Sequence, residues 1–83
     1  MNVQQAKFIK DLVHHGSPTI KSDFGPTTFF VLITKNGNEY QIKTNTNKLK
    51  IIQVGMGPSK TDFKTVAEDV NEHSLNKTIH ALN

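Results

Sequence analysis

The chain is predicted to fold as a single α+β domain spanning residues 1–83, with an antiparallel sheet of three to four strands packed by helices in the order α-β-β-β-(β)-α-α. Three observations point there. Eighty-three residues suffice for one modest hydrophobic core. The unbroken apolar run Phe29-Phe30-Val31-Leu32-Ile33 reads as a central strand covered on both faces, because a half-solvated strand would alternate. Asn36-Gly37 then supplies the positive-φ pair that closes a hairpin, ahead of an alternating segment in which Tyr40 and Ile42 face inward.

Taken in order, Asn2 is placed to cap a first helix from about Val3 to His15, whose apolar stripe is Val3, Ala6, Ile9, Leu12 and Val13. Gly16 ends it, and Pro18 blocks its continuation. Thr19 to Phe24 forms a short strand before the Gly25-Pro26 turn, and Thr27 to Lys35 the central one. Glu39 to Thr44 is the next strand, and Asn45-Thr46-Asn47 connects it to a further strand from Lys48 to Val54. There the apolar phase shifts between Ile51 and Ile52, the mark of a bulge. A second helix from about Lys60 to His73 is expected to bury Phe63, Val66, Ala67 and Val70, laying Val66 and Val70 over Phe29, Val31 and Ile33. Ser74 opens a last short helix built on Leu75, Ile79 and Leu82.

Composition narrows the function. The ten basic residues are all lysine, against seven acids, for a net charge of +3. Residues 1–58 hold seven lysines and three acids, and residues 59–83 hold three and four, so the basic character belongs to the first helix and the sheet. Lysine meets phosphate as a mobile point charge, whereas arginine supplies the fork that reads guanine edges. Nucleic-acid contact would therefore be backbone- or shape-led. With no cysteine, no leader-like N-terminus and no apolar run long enough for a bilayer, the expectation is a cytoplasmic protein without a membrane partner. No nucleophile motif is present, and His14, His15, His73 and His80 do not assemble a ligand set. The chain thus reads as a non-enzyme with no metal and no cofactor.

The segment Gly55-Met56-Gly57-Pro58-Ser59-Lys60-Thr61-Asp62-Phe63-Lys64 carries the clearest candidate site. Read as a helix start flanked by Lys60 and Lys64, it offers unpaired backbone N–H groups to a phosphate or a carboxylate. The competing reading is plain capping, with Ser59 as the cap and Asp62 reaching back. Lys43, Lys48 and Lys50 extend the candidate partner-binding set, which is therefore Lys43, Lys48, Lys50, Ser59, Lys60 and Lys64. Tyr40 and Phe30 would offer a stacking platform if exposed, but their strand phase favours core positions. Should helices leave Phe30 and Leu32 uncovered, the apolar face would mark a protein partner or a homodimer.

Two families share residues with this pattern. Gly37-Asn38-Glu39-Tyr40-Gln41-Ile42, Thr19-Ile20-Lys21 and the order of elements resemble small phage anti-CRISPR inhibitors of type II CRISPR nucleases. One such inhibitor is an acidic DNA mimic, and a lysine-rich chain cannot fill a cationic groove in that way. The resemblance therefore implies an inhibitor of a different mechanism, touching guide RNA or an acidic protein face. Gly55, Gly57, Ser59, Lys60, Lys64 and Ala67, with the Gly25-Pro26 turn, resemble the double-stranded RNA-binding domain, in which lysines at a helix start contact phosphates. Thr61 and Phe63 depart from that pattern. The expectation is a small non-catalytic binding protein of phage or mobile-element type that inhibits or modulates a host nucleoprotein or nuclease, with RNA phosphate backbone as a direct contact. The alternatives are a stand-alone double-stranded RNA-binding domain and a homo-oligomeric interaction module.

Overall fold

The computed structural model describes the chain apart from Phe24, Gly57, Lys60 and Asn83 and apart from the side chain of Met56. Its elements run α1 (Val3–Leu12), β1 (Thr19–Ser22), β2 (Phe29–Lys35), β3 (Asn38–Asn45), β4 (Lys48–Met56), β5 (Asp62–Val70) and α2 (Leu75–His80). The α+β class stands, but the sheet has five strands, in the meander order β1-β2-β3-β4-β5, with every neighbouring pair antiparallel.

α1 starts where its sequence says. The Asn2 side chain accepts from the Gln5 amide at 2.8 Å, and the Gln5 side chain accepts from the Asn2 amide at 3.0 Å, a complete capping box. It ends three residues short of His15, with Val13 already extended. The chain then turns at Gly16, whose φ is +64°. A Cβ there would collide with the Thr34 carbonyl oxygen, so only glycine lets the connection pass this close to β2. The β2–β3 hairpin turns on Asn36 (φ 54°) and Gly37 (φ 80°), the geometry its sequence demands.

The second helix is the main correction. Residues 62–70 form an edge strand, not a helix, so Val66 and Val70 do not cap β2 from above. Helical spacing of Phe63, Val66, Ala67 and Val70 misled because β5 is bulged. Ile51 pairs with Ala67 and Leu49 with Val70, so core-facing positions two apart on β4 meet positions three apart on β5. Between Ile52↔Thr65 and Ile51↔Ala67 the extra residue is Val66, and Asp69 adopts φ 54° in the second irregularity. A strand with inserted residues thus mimics a helical stripe, while its Thr65, Val66 and Val70 carry β-branched preference.

Both helices lie on one face of the sheet. Val31, Ile33, Tyr40, Ile42, Leu49, Ile51 and Val70 form one buried cluster with Ala6, Ile9 and Val13 of the α1 segment and Leu75 and Ile79 of α2. Phe29 packs at its edge, so Phe29, Val31 and Ile33 do share a face, covered by α1 and α2. Polar contacts fix the helices to each other and to β2. Asn76 donates to the Leu12 carbonyl at 2.7 Å and accepts from the His14 amide at 2.9 Å. The Lys35 ammonium donates to the carbonyls of Ile79 (2.9 Å), His80 (2.7 Å) and Leu82, placing a cation at the negative end of α2.

Candidate partner-binding face

Among the described residues, no helix lies on the other face of the sheet. Strand alternation sends Phe30, Leu32, Gln41, Lys43, Lys50, Ile52 and Val54 there, opposite the clustered residues. Neither Phe30 (8% exposed) nor Ile52 (6%) belongs to the helix-side cluster, although both are buried. The expectation that both faces of β2 are covered is met by helices on one side only: its apolar run is continuous because two different surfaces use it.

The register arranges this open face in three cross-sheet rows. In the first, Lys21 pairs with Phe30, Phe30 lies beside Lys43, and Lys43 pairs with Lys50. The second runs Thr19, Leu32, Gln41, Ile52, Thr65, and the third Thr34, Glu39, Val54, Phe63. The rows differ in character. The first is a line of three lysines about one aromatic ring, with the Lys43 ammonium 5.5 Å from the Phe30 centroid. Lys43 also pairs with Asp23 at 3.0 Å, the one ion pair among the described residues. Like charges directly opposite each other, as Lys43 and Lys50 are, oppose sheet pairing. An anion laid on the row would relieve that repulsion. The third row ends in Phe63, 70% exposed and the most exposed large apolar side chain described.

The residues singled out in the sequence divide among several places. Lys43 and Lys50 share the lysine row. Lys48 stands at the tip of the β3–β4 hairpin and borders a groove on the helix side. Lys64 pairs with Gln53, which lies opposite Tyr40, and so belongs to the helix-bearing face. Ser59 caps nothing: it sits in the β4–β5 turn, with its hydroxyl 2.6 Å from that of Thr61. Lys60 and Gly57 lie outside the described residues. The anion site at a helix start is thus withdrawn, since the described residues 62–70 are a strand. With it goes the local geometry behind the resemblance of Gly55 to Ala67 to a double-stranded RNA-binding helix. Of the two aromatics weighed as a platform, Tyr40 is core, at 2% exposed, and Phe30 is shielded beneath Lys43. Sequence reading missed Lys21 and Phe63, because only the strand register shows that they share a face with Lys43 and Lys50.

On the helix side, a groove of about 580 Å³ runs between α1 and the β3–β4 hairpin, with Phe8, Ile9, Leu49 and Val70 among its walls. Its polar rim mixes Lys48, Glu72 and His73, so it has no single charge preference. The rings of His15 and His80 approach to 5.7 Å, and no group of three metal-ligating side chains occurs among the described residues. No described helix is long and apolar enough to cross a membrane. No protein-family model, curated protein or solved structure matches this chain.

Proposed function

We propose that this chain is a small non-catalytic binding protein that inhibits or modulates nucleic-acid-processing machinery of the RNA-guided nuclease kind, docking through its helix-free sheet face. The observation that carries this reading is the row Lys21, Phe30, Lys43, Lys50, which lines up cations across four strands on a face that the fold leaves uncovered. A flat basic row suits the phosphates of a guide RNA, and a lysine-only cation set suits backbone rather than base-edge contacts. The hairpin that carries the likeness to phage inhibitors, Gly37 to Ile42, lies at the centre of this face and sets its register. The basic row also gives the reading its mechanism: attachment to an anionic component of the machine, not imitation of DNA.

The test is a binding titration with a labelled guide-type RNA containing both paired and unpaired segments, repeated from low to physiological salt, beside a cleavage assay of the RNA-guided nuclease. Each neutralised phosphate contributes a log–log slope of about −0.7 to −0.9, so three lysines should give roughly −2 to −3. Lys21→Gln with Lys50→Gln should flatten that slope, weaken binding about tenfold or more, and relieve inhibition in parallel. Absence of binding at low salt, or an affinity indifferent to salt and to both substitutions, would overturn the proposal.

A further inference from the structure

The open face is chemically divided, and the division specifies the form of nucleic acid it takes. We infer, building on the reading above, that the face binds an unpaired single-stranded segment, its phosphates following the lysine row and a base stacking on Phe63. Three observations converge. Phe63 projects from the same face as the lysines, because it pairs with Val54, and it is 70% exposed at the end of a row that continues through Val54, Glu39 and Thr34. Between it and the lysines lie Leu32, Gln41, Ile52 and Thr65, a surface of apolar and neutral groups that repels neither sugar nor base. Of the carboxylates nearby, Asp23 is paired with Lys43 within the lysine row, so that a phosphate must displace or share that contact, and Glu39 lies in the row furthest from the lysines. Glu68 and Asp69 lie between Ala67 and Val70, the partners of Ile51 and Leu49, and so flank Lys50, with no ion pair to it among the described residues.

Geometry separates single strand from duplex. Phe63 sits one strand away from Lys50 and four residues along it, roughly 14 Å at usual sheet spacings. A continuous duplex would present only phosphates and sugars to that whole span, leaving Phe63 against a charged backbone. An unpaired strand can turn a base edge-out and lay its face on the ring, the contact by which sheet-surface aromatics hold single strands. The ring therefore has a role with an unpaired strand and none with a helix.

The experiment compares a 12-nucleotide single-stranded RNA with the blunt duplex of the same sequence, by fluorescence anisotropy, for the native chain, Phe63→Ala and Lys21→Gln/Lys50→Gln. Sedimentation of the free protein at the same concentrations runs beside it. Phe63 is exposed, so its truncation leaves the core intact, and a thermal melt verifies this. Expected are single-strand binding at least tenfold tighter than duplex binding, and a loss of roughly 5- to 150-fold on the single strand for Phe63→Ala. Duplex binding, where measurable, should respond only to the lysine substitutions. Equal binding of both forms with a silent Phe63→Ala overturns the single-strand inference and leaves the function reading standing. The same holds if the guide-type RNA binds while neither oligonucleotide does. If no RNA of any form binds, both fail. A dimer that Phe63→Ala dissociates, found together with absent RNA binding, would assign the face to a second copy of the chain.

Discussion

One sheet serves two surfaces, and its two faces divide the labour. On the helix-bearing face, Val31, Ile33, Ile42 and Ile51 are completely buried, Asn76 ties α1 to α2, and Lys35 ties the end of α2 to β2. On the bare face the same strands present three lysines in a row and a Phe63 largely in water. Alternation along β2 and β3 lets adjacent residues belong to different problems: Ile42 holds the fold, and Lys43 lies on the bare face. Stability and binding should therefore be separable by substitutions one residue apart.

The largest effects belong to the covered face. Ile42→Ala should cost about 2–5 kcal/mol, the usual range for truncating a fully buried aliphatic. For 83 residues the whole stability is on the order of 4–12 kcal/mol, so a denaturant melt would find this variant at or beyond the edge of folding. Phe63→Ala, nine-residue β5 notwithstanding, should move the same melt by no more than about 0.5 kcal/mol. Comparable losses for the two would erase the contrast between the faces.

Gly16→Ala tests the tight passage of the α1–β1 connection over β2. The added methyl meets the Thr34 carbonyl, and the backbone angle disfavours a side chain, so a loss of about 2 kcal/mol or more is expected in chemical denaturation. Thr46 provides the opposite sign. It is a β-branched residue at φ 59° in the two-residue turn between β3 and β4, and Thr46→Gly should stabilise the protein by about 1 kcal/mol, read as a rise in Tm. The smallest shift belongs to the lysine row. Lys50→Gln removes a like-charge neighbour from Lys43 and should raise stability by a few tenths of a kcal/mol, about 0.3, with the gain shrinking as salt is added.

Much of the covered face was legible in the residues themselves. The Asn2 capping box, the Asn36-Gly37 turn and the inward phase of Tyr40 and Ile42 are local chemistry, and local chemistry determined them. The phase shift at Ile51 and Ile52 was visible too, and the register does break there, though the inserted residue sits on β5. What escaped was non-local. A bulged strand whose core positions fall three apart has the period of a helix, so β5 was read as one and the Ser59 to Lys64 segment as its N-terminus. The candidate site divides for the same reason: proximity in sequence groups its lysines, whereas a sheet groups residues by register. Lys21 and Lys50 are 29 positions apart in the chain and share a row through Phe30 and Lys43.

Methyl-labelled NMR of the native chain, titrated with single-stranded RNA, addresses the division of the faces most directly, because each face carries its own reporters. The methyl groups of Leu32, Ile52 and Val54 lie on the bare face, and those of Ile33, Ile42 and Ile51 lie beneath the helices. The account predicts that the first set shifts on binding while the second stays in place. Shifts concentrated instead at Ile9, Leu49 and Val70, which line the groove beside α1, would place the partner on the other side of the sheet and contradict it.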